Sequence, residues 1–306
     1  KDFTAPKGSV LNARILWTFS AAFNHYQNEK YFTTATRAFE YITQHFIDKD
    51  YGGVFWTVDA NGNKLDDKKQ IYALAFTVYG LSEYYASSKN KIALDTALQL
   101  YNTIEAYSYD VVNKGYFEAF KRDWSVADDL RLSAKDANEK KTMNTHLHVI
   151  EAYANLYKVY QSSVIKNKIS ELLELFDEHF INKKTFHLRL FFDEVWNEKP
   201  GVISYGHDIE AAWLLQRCAE IINEKDWINI YRNHAINIAD AAAEGLDNDG
   251  GMWYEFNPLN QAPNPLKGAK EKHWWVQAEA IVGFMNAYQI SNNEKYLHTS
   301  INNWQF

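Results

Sequence analysis

The chain has 306 residues, 46% hydrophobic and 23% charged, a globular composition that excludes a disordered or collagen-like polymer. A net charge of −7 argues against nucleic acid and anionic membrane as partners, since both need a cationic face, and no apolar run approaches the ~20 residues that cross a bilayer. Cys218 is the single cysteine, so no intramolecular disulfide can form and a cytoplasmic setting is the default expectation.

The length fits two domains or one large barrel. Apolar residues at three- and four-residue spacing predict a helix over about 10–27 and a second over 29–46. The segment Tyr51-Gly-Gly-Val-Phe-Trp-Thr-Val-Asp-Ala-Asn-Gly-Asn63 then alternates apolar and polar residues around Asn-Gly, which predicts a short β-hairpin. This unit recurs. Helices over 69–87 and 91–107 precede Gly115-Tyr-Phe-Glu-Ala-Phe120, helices over 142–160 and 164–180 precede Thr185-Phe-His-Leu-Arg-Leu-Phe-Phe192, and helices over 207–223 and 225–243 precede Asp249-Gly-Gly-Met-Trp-Tyr-Glu-Phe256. A fifth pair starts near Glu271 and is still running at Phe306. Pro6, Pro200, Pro258, Pro263 and Pro265 all lie outside the periodic segments, as helix-breaking residues should.

A period of about 60 to 70 residues built from helical hairpins is a repeat architecture. Such an array hides both its ends by closing into a ring with two helical layers, an all-α (α/α) barrel, with short β-hairpins between repeats. Residues 1–306 read as one such domain. The usual ring takes six pairs and five are counted here, so either one repeat is missing from the C-terminal end or the array is an open five-pair toroid. The odd helices carry the polar groups near one end and are expected to form the inner layer, with binding residues gathered at one rim.

Aromatic residues make up 16% of the chain. Most must pack the core, yet flat rings also stack on the apolar faces of sugars, so carbohydrate is a candidate ligand. In Lys141-Thr-Met-Asn-Thr-His-Leu-His-Val-Ile-Glu-Ala-Tyr153, Asn144, His148 and Glu151 share one helical face while His146 points away. In Ser204-Tyr-Gly-His-Asp-Ile-Glu-Ala-Ala-Trp213, His207 sits where a helix starts, which disfavours imidazolium and leaves a neutral ring able to act as a base, with Glu210 one turn later. The alternative is that each histidine only satisfies a buried hydrogen bond. Arg14 interrupts an apolar helix, and burying it would cost several kcal/mol without an anion or several acceptors, so a cleft position is expected. Trp275 and Glu279 share a face at the start of the fifth pair, with Trp274 adjacent. His25, His45, His179, His234 and His298 read as solvated or dipole-complementing, and His187 as undetermined.

Other templates fit poorly. No Walker A or Gly-x-Gly-x-x-Gly sequence occurs, and His146 and His148 have the wrong spacing for a helical zinc pair, so neither a nucleotide cofactor nor a metal is expected. Asp66, Asp67, Asp128, Asp129, Asp136, Asp193, Asp247 and Asp249 include enough carboxylates for a glycosidase pair, although turn formation accounts for most of them.

Asn144-Thr-His-Leu-His-Val-Ile-Glu-Ala-Tyr153, Ser204-Tyr-Gly-His-Asp-Ile-Glu-Ala-Ala-Trp213 and Trp274-Trp-Val-Gln-Ala-Glu279 together make the chain resemble the N-acylglucosamine 2-epimerase superfamily, and more closely its cellobiose 2-epimerase branch. The resemblance covers nearly the whole chain. It implies an (α/α)6 barrel and cofactor-free inversion at C2 of a reducing-end glucose or mannose in a β-1,4-linked disaccharide such as cellobiose, lactose or mannobiose. By position it makes His207 a general acid/base, His148 an essential histidine and Arg14 a stabiliser of the enediolate. Tyr72, Asp136, Asn144, Glu210, Trp274, Trp275 and Glu279 become substrate-contacting or supporting residues. It also implies a monomer or weak homodimer, and places a second acid/base histidine in a final helical pair beyond Phe306. On that expectation these 306 residues alone are inactive in epimerisation. Aldose–ketose isomerisation or N-acylglucosamine 2-epimerisation on the same fold, glycoside hydrolysis and noncatalytic sugar binding are the alternatives.

Overall fold

A computed structural model describes residues 2–133, 136–257 and 271–306. Among these residues the α-helices are α1 (Ser9–Tyr26), α2 (Glu29–Tyr41), α3 (Ile71–Ser88), α4 (Lys91–Tyr107), α5 (Met143–Val159), α6 (Ser163–Leu175), α7 (Tyr205–Ile222), α8 (Lys225–Ala242), α9 (Trp274–Ser291) and α10 (Glu294–Gln305). All five expected pairs are present, with ends within a few residues of the periodicity. The second helix of the first and third pairs finishes in one π-helical turn, Ile42–Phe46 and Phe176–Phe180. Pro6 and Pro200 lie outside helices. Pro258, Pro263 and Pro265 lie outside the described residues.

The connections within pairs have a local chemical cause. Gln27, Lys89, Asn223 and Asn292 adopt left-handed conformations with φ of 53°, 57°, 55° and 55°, closing the preceding helix. In three of these turns the next residue is an asparagine whose side chain accepts from a backbone N–H of the following helix, Asn28 from Lys30, Asn90 from Ile92 and Asn293 from Lys295. Two residues therefore stop one helix and cap the next.

The chain forms two compact units, Lys1–Lys168 with Asp193–Val195, and Ile169–Phe192 with Trp196–Phe306. In the N-terminal unit α3 packs against α1, α4 and α5, and α1 against α2. The sequence of α3 is apolar on every side, and it is buried on nearly every side. Gly80 permits the close approach of α1, because a Cβ there would lie 2.7 Å from the carbonyl oxygen of Ala13. In the C-terminal unit α7 packs against α8 and α9, and α9 against α10. Helices α2, α4, α8 and α10 each bury a single stripe. The odd helices α3, α5 and α7 are the deeply buried ones, as expected for inner helices, whereas α1 and α9 bury one stripe each.

The β structure departs from the expectation of local hairpins. Residues Thr57–Val58 and Lys64–Asp66 do form the predicted hairpin. The other main pairings are long-range: Lys7–Gly8 pairs with Thr57–Val58, Lys69–Gln70 with Ala119–Phe120, and Ile203–Ser204 with Glu255–Phe256. Each joins the two residues before an odd helix to the aromatic segment that follows the pair, closing one repeat as a loop. Within the aromatic segments, single bridges such as Tyr109 to Tyr116 and Leu246 to Met252 replace hairpins. Alternation shows that a segment is extended, but it carries no information about a partner some 50 residues away.

An ion pair stands just before three of the odd helices, α3, α5 and α9. Lys69, just before α3, donates to Asp48 at 2.7 Å with both side chains fully buried, and Arg122 adds a second cation at 2.8 Å. Burial alone would raise the Asp48 carboxyl, but the hydrogen bonds from Arg122 and Lys69 hold it well below the usual range. Lys141, before α5, donates to Asp110 at 2.8 Å, again buried. Lys272, before α9, meets Asp247 and Asp249 in a far more exposed setting. No described helix is long and apolar enough to cross a membrane.

Candidate active site

The sequence-predicted residues fall into two groups, one in each unit. In the N-terminal unit Arg14 projects from α1 and is exposed. Its guanidinium lies 4.4 Å over the Phe76 ring and makes a long hydrogen bond of 3.4 Å to the Tyr72 hydroxyl, so the cost of burying the charge does not arise. The helix keeps it by stacking it on an aromatic face while leaving the charge solvated.

Tyr72 and Phe76, one turn apart on α3, hold the His148 ring between aromatic contacts of 4.9 and 4.5 Å. His148 Nδ1 donates to Glu151 Oε2 at 2.9 Å, which leaves Nε2 as the basic nitrogen of the neutral ring. Burial lowers the His148 pKa, the Glu151 carboxylate opposes this, and the Arg14 charge adds to the lowering. The net result is a neutral imidazole beside a cation. Asn144, one turn earlier, has a buried amide oxygen with no partner among the described residues. An unpaired buried acceptor costs free energy unless a ligand donor meets it. His146 points away as expected, with Nδ1 donating to the Thr142 carbonyl at 2.7 Å and Nε2 accepting from Tyr116 N–H at 2.9 Å. Asp136 accepts from the Ser133 N–H at 2.8 Å in a loop.

In the C-terminal unit His207 is the third residue of α7. Ser204 precedes the helix, and its hydroxyl shares a 2.7 Å hydrogen bond with His207 Nδ1. That contact directs Nε2 away from the helix end. The Trp275 ring lies 5.1 Å from the imidazole, a distance that Gly206 makes possible because a Cβ there would fall 2.6 Å from Trp275 Cη2. Tyr254 meets Trp275 edge-on at 5.8 Å and stacks on His273 at 4.2 Å. Glu279 accepts from Trp213 Nε1 at 2.9 Å, and Glu210 is buried on α7. Trp274 is 79% exposed at the first position of α9.

Several supporting residues were not identified from sequence. Phe76 is hidden in an apolar run, although its position one turn after Tyr72 is a usable signal. Ser204 stands three residues before His207, the spacing of a helix cap. His187, which read as undetermined, turns inward and bonds Asp208 at 2.7 Å, while the Leu188 N–H donates to the other Asp208 oxygen at 2.8 Å. Burial pulls the His187 pKa down, but the Asp208 hydrogen bond and the carboxylates of Asp208 and Glu244 outweigh it, so the ring holds its proton more tightly than a free histidine. His234 is a correction: it is a mostly buried partner of Asp177 at 2.5 Å, with burial lowering its pKa, and not a solvated ring. Among the described residues no group of three or more His, Cys, Asp or Glu could hold a metal ion.

The N-acylglucosamine 2-epimerase (GlcNAc 2-epimerase) family profile matches residues 2–306. The chain is 46% identical over 302 residues to a cellobiose 2-epimerase of Bacteroides fragilis, covering 99% of this chain and 76% of that protein. It is 38% identical to a cellobiose 2-epimerase of Dictyoglomus turgidum, covering 100% and 76%. A solved sugar epimerase from a ruminal bacterium superposes with a TM-score of 0.93 at 36% identity, covering 99% of this chain and 76% of that one. The helical-hairpin barrel class expected from the repeat is thus the class of its solved relatives, and the match along the whole length shows that the chain belongs to the N-acylglucosamine 2-epimerase family.

Proposed function

We propose that the chain acts in 2-epimerisation of the cellobiose 2-epimerase type, the interconversion of glucose and mannose at the reducing end of a β-1,4-linked disaccharide, and that these residues supply the removal and return of the C2 proton. The observation that carries this reading is His207, fixed by Ser204 at the N-terminus of α7 and walled by Trp275. The relatives named cellobiose 2-epimerase support the substrate class.

The chemistry accounts for the residue types. Opening of the hemiacetal exposes an aldehyde, which acidifies the C2 proton. His207 takes that proton, the C2–H electron pair forms the C1–C2 double bond, and the carbonyl electrons move to O1, giving a planar cis-enediolate. Protonation on the opposite face inverts C2, and return from the same face restores it. A neutral imidazole is a base suited to this step near neutral pH. Arg14 supplies positive charge where the oxygen becomes anionic, a contribution of about 2.7–4 kcal/mol per donor in comparable settings. His148, kept neutral by burial, serves as a hydrogen-bonding partner or proton carrier to the opened sugar. Asn144, Tyr72, Glu210 and Glu279 offer hydroxyl partners, and Trp275 a stacking face. Asp136 and Trp274 are assigned to the outer sugar.

Incubation with cellobiose in deuterated water, followed by NMR, tests the reading. Deuterium at C2 of the manno product supports epimerisation. Deuterium at C2 with retained configuration supports abstraction with return on the same face. Accumulating ketose would replace the proposal with aldose–ketose isomerisation, and free glucose with hydrolysis.

A further inference from the structure

Outside the residues assigned to sugar, one buried acidic residue makes four hydrogen bonds at the base of the N-terminal group. Glu118 is 2% exposed, so it does not reach a substrate. Its carbonyl oxygen accepts from the N–H of Ile71, the first residue of α3, at 3.1 Å, and its own N–H donates to the Lys140 carbonyl, just before α5, at 3.1 Å. Its carboxylate accepts from Thr142 Oγ1 at 2.6 Å through Oε2 and from Thr145 Oγ1 at 2.7 Å through Oε1. Thr142 is the N-cap of α5 and accepts from Thr145 N–H at 3.2 Å.

The carboxylate therefore orients the capping hydroxyl and is itself stabilised by the positive end of α5. The two helices it joins are those carrying the group. Tyr72 follows Ile71 directly, and Phe76 is one turn further. Asn144 lies between the two threonines, and His148 is one turn beyond. We propose that Glu118 is a positioning residue for the reaction, setting the first turns of α3 and α5 against each other so that Tyr72, Asn144 and His148 are held in register for the sugar. This rests on reading those residues as sugar-facing. A carboxylate is needed because both its oxygens must accept at once. An amide of the same shape offers one acceptor and turns its other end, an NH2 group, on a threonine oxygen.

The test is Glu118→Gln, measured as C2 exchange or turnover of cellobiose. A displacement approaching 1 Å at the reacting groups predicts a fall of about 10- to 100-fold in kcat with KM changed much less. Thr145→Val is expected to reproduce the loss, the double variant to be no worse than the more damaged single, and Thr145→Ser to keep near wild-type turnover. Full turnover in Glu118→Gln, or losses that multiply in the double variant, would overturn the proposal. Absence of any C2 exchange in the wild type would count against the functional reading instead. Positioning is then read from the His148 imidazole resonances, which move in Glu118→Gln and stay in the surface control Asp95→Asn. Unmoved resonances in Glu118→Gln would reject the positioning role on their own.

Discussion

The two units anchor the first turn of their site helices by different chemistry. In the N-terminal unit the acceptor, Glu118, comes from outside the helix and bonds two neutral hydroxyls of α5. In the C-terminal unit the acceptor belongs to α7 itself: Asp208, next to His207, bonds His187 and the Leu188 N–H of an extended segment. The lysines preceding the odd helices differ as well. Lys69 and Lys141 are sealed with their aspartates, while Lys272 meets partners that water can also reach. One architectural position is thus filled by a buried ion pair in one unit and a solvated one in the other, and the surrounding water decides what each is worth.

The largest effect expected from this contrast follows removal of a buried cation. Lys141→Met leaves Asp110 buried without its cation and should cost about 3–5 kcal/mol in denaturant unfolding. Lys69→Met should cost less, since Arg122 still bonds Asp48. Lys272→Met should leave the unfolding midpoint essentially unmoved. Equal losses at Lys141 and Lys272 would erase the distinction between the units.

A second, pH-dependent effect sharpens the comparison of the two anchors. Burial pushes the Glu118 carboxyl up to about 7 against the hydrogen bonds of Thr142 and Thr145. With the folded pKa above the ordinary 4.5, the folded state holds an extra proton between these values. Stability is then greatest below 4.5 and falls as pH rises to 7, by about 3 kcal/mol in total. Unfolding free energies of Glu118→Gln and wild type should therefore diverge in favour of the amide across that window. A pH-independent difference would show that Glu118 is ionised throughout. His187 also has a raised pKa, so its contribution is present below its ordinary 6.5 and is lost as pH rises through the folded value.

The smallest effect lies in the helix connections. Asn90 caps α4 with its side chain, whereas Glu224 before α8 makes no side-chain cap. Asn90→Ala should cost about 1 kcal/mol, and Glu224→Ala should change the midpoint little.

Much of this organisation was legible in the sequence. The helical pairs followed from apolar spacing, and the shared face of His148 and Glu151 from their separation of three. His207 at a helix start followed from the glycine before it and the apolar run after it. The clamps did not, because pairing of Lys69–Gln70 with Ala119–Phe120 depends on how repeats close and not on either segment alone. For Arg14 the apolar helix around it argued against burial, but the ring that covers it could not be read from one helix: Phe76, from another helix, lies against the guanidinium of a residue that stays exposed. Glu118 reads as an ordinary polar position of an alternating segment until the threonines of α5 are brought to it.

In the proposed mechanism everything turns on His207 removing the C2 proton of the sugar. Its most direct test is the initial rate of deuterium incorporation at C2 of cellobiose in deuterated water, compared between wild type and His207→Asn under conditions where both remain folded and bind the disaccharide. A loss of about 10²- to 10⁴-fold is expected, the usual contribution of a positioned acid/base. Incorporation at the wild-type rate in His207→Asn would contradict it.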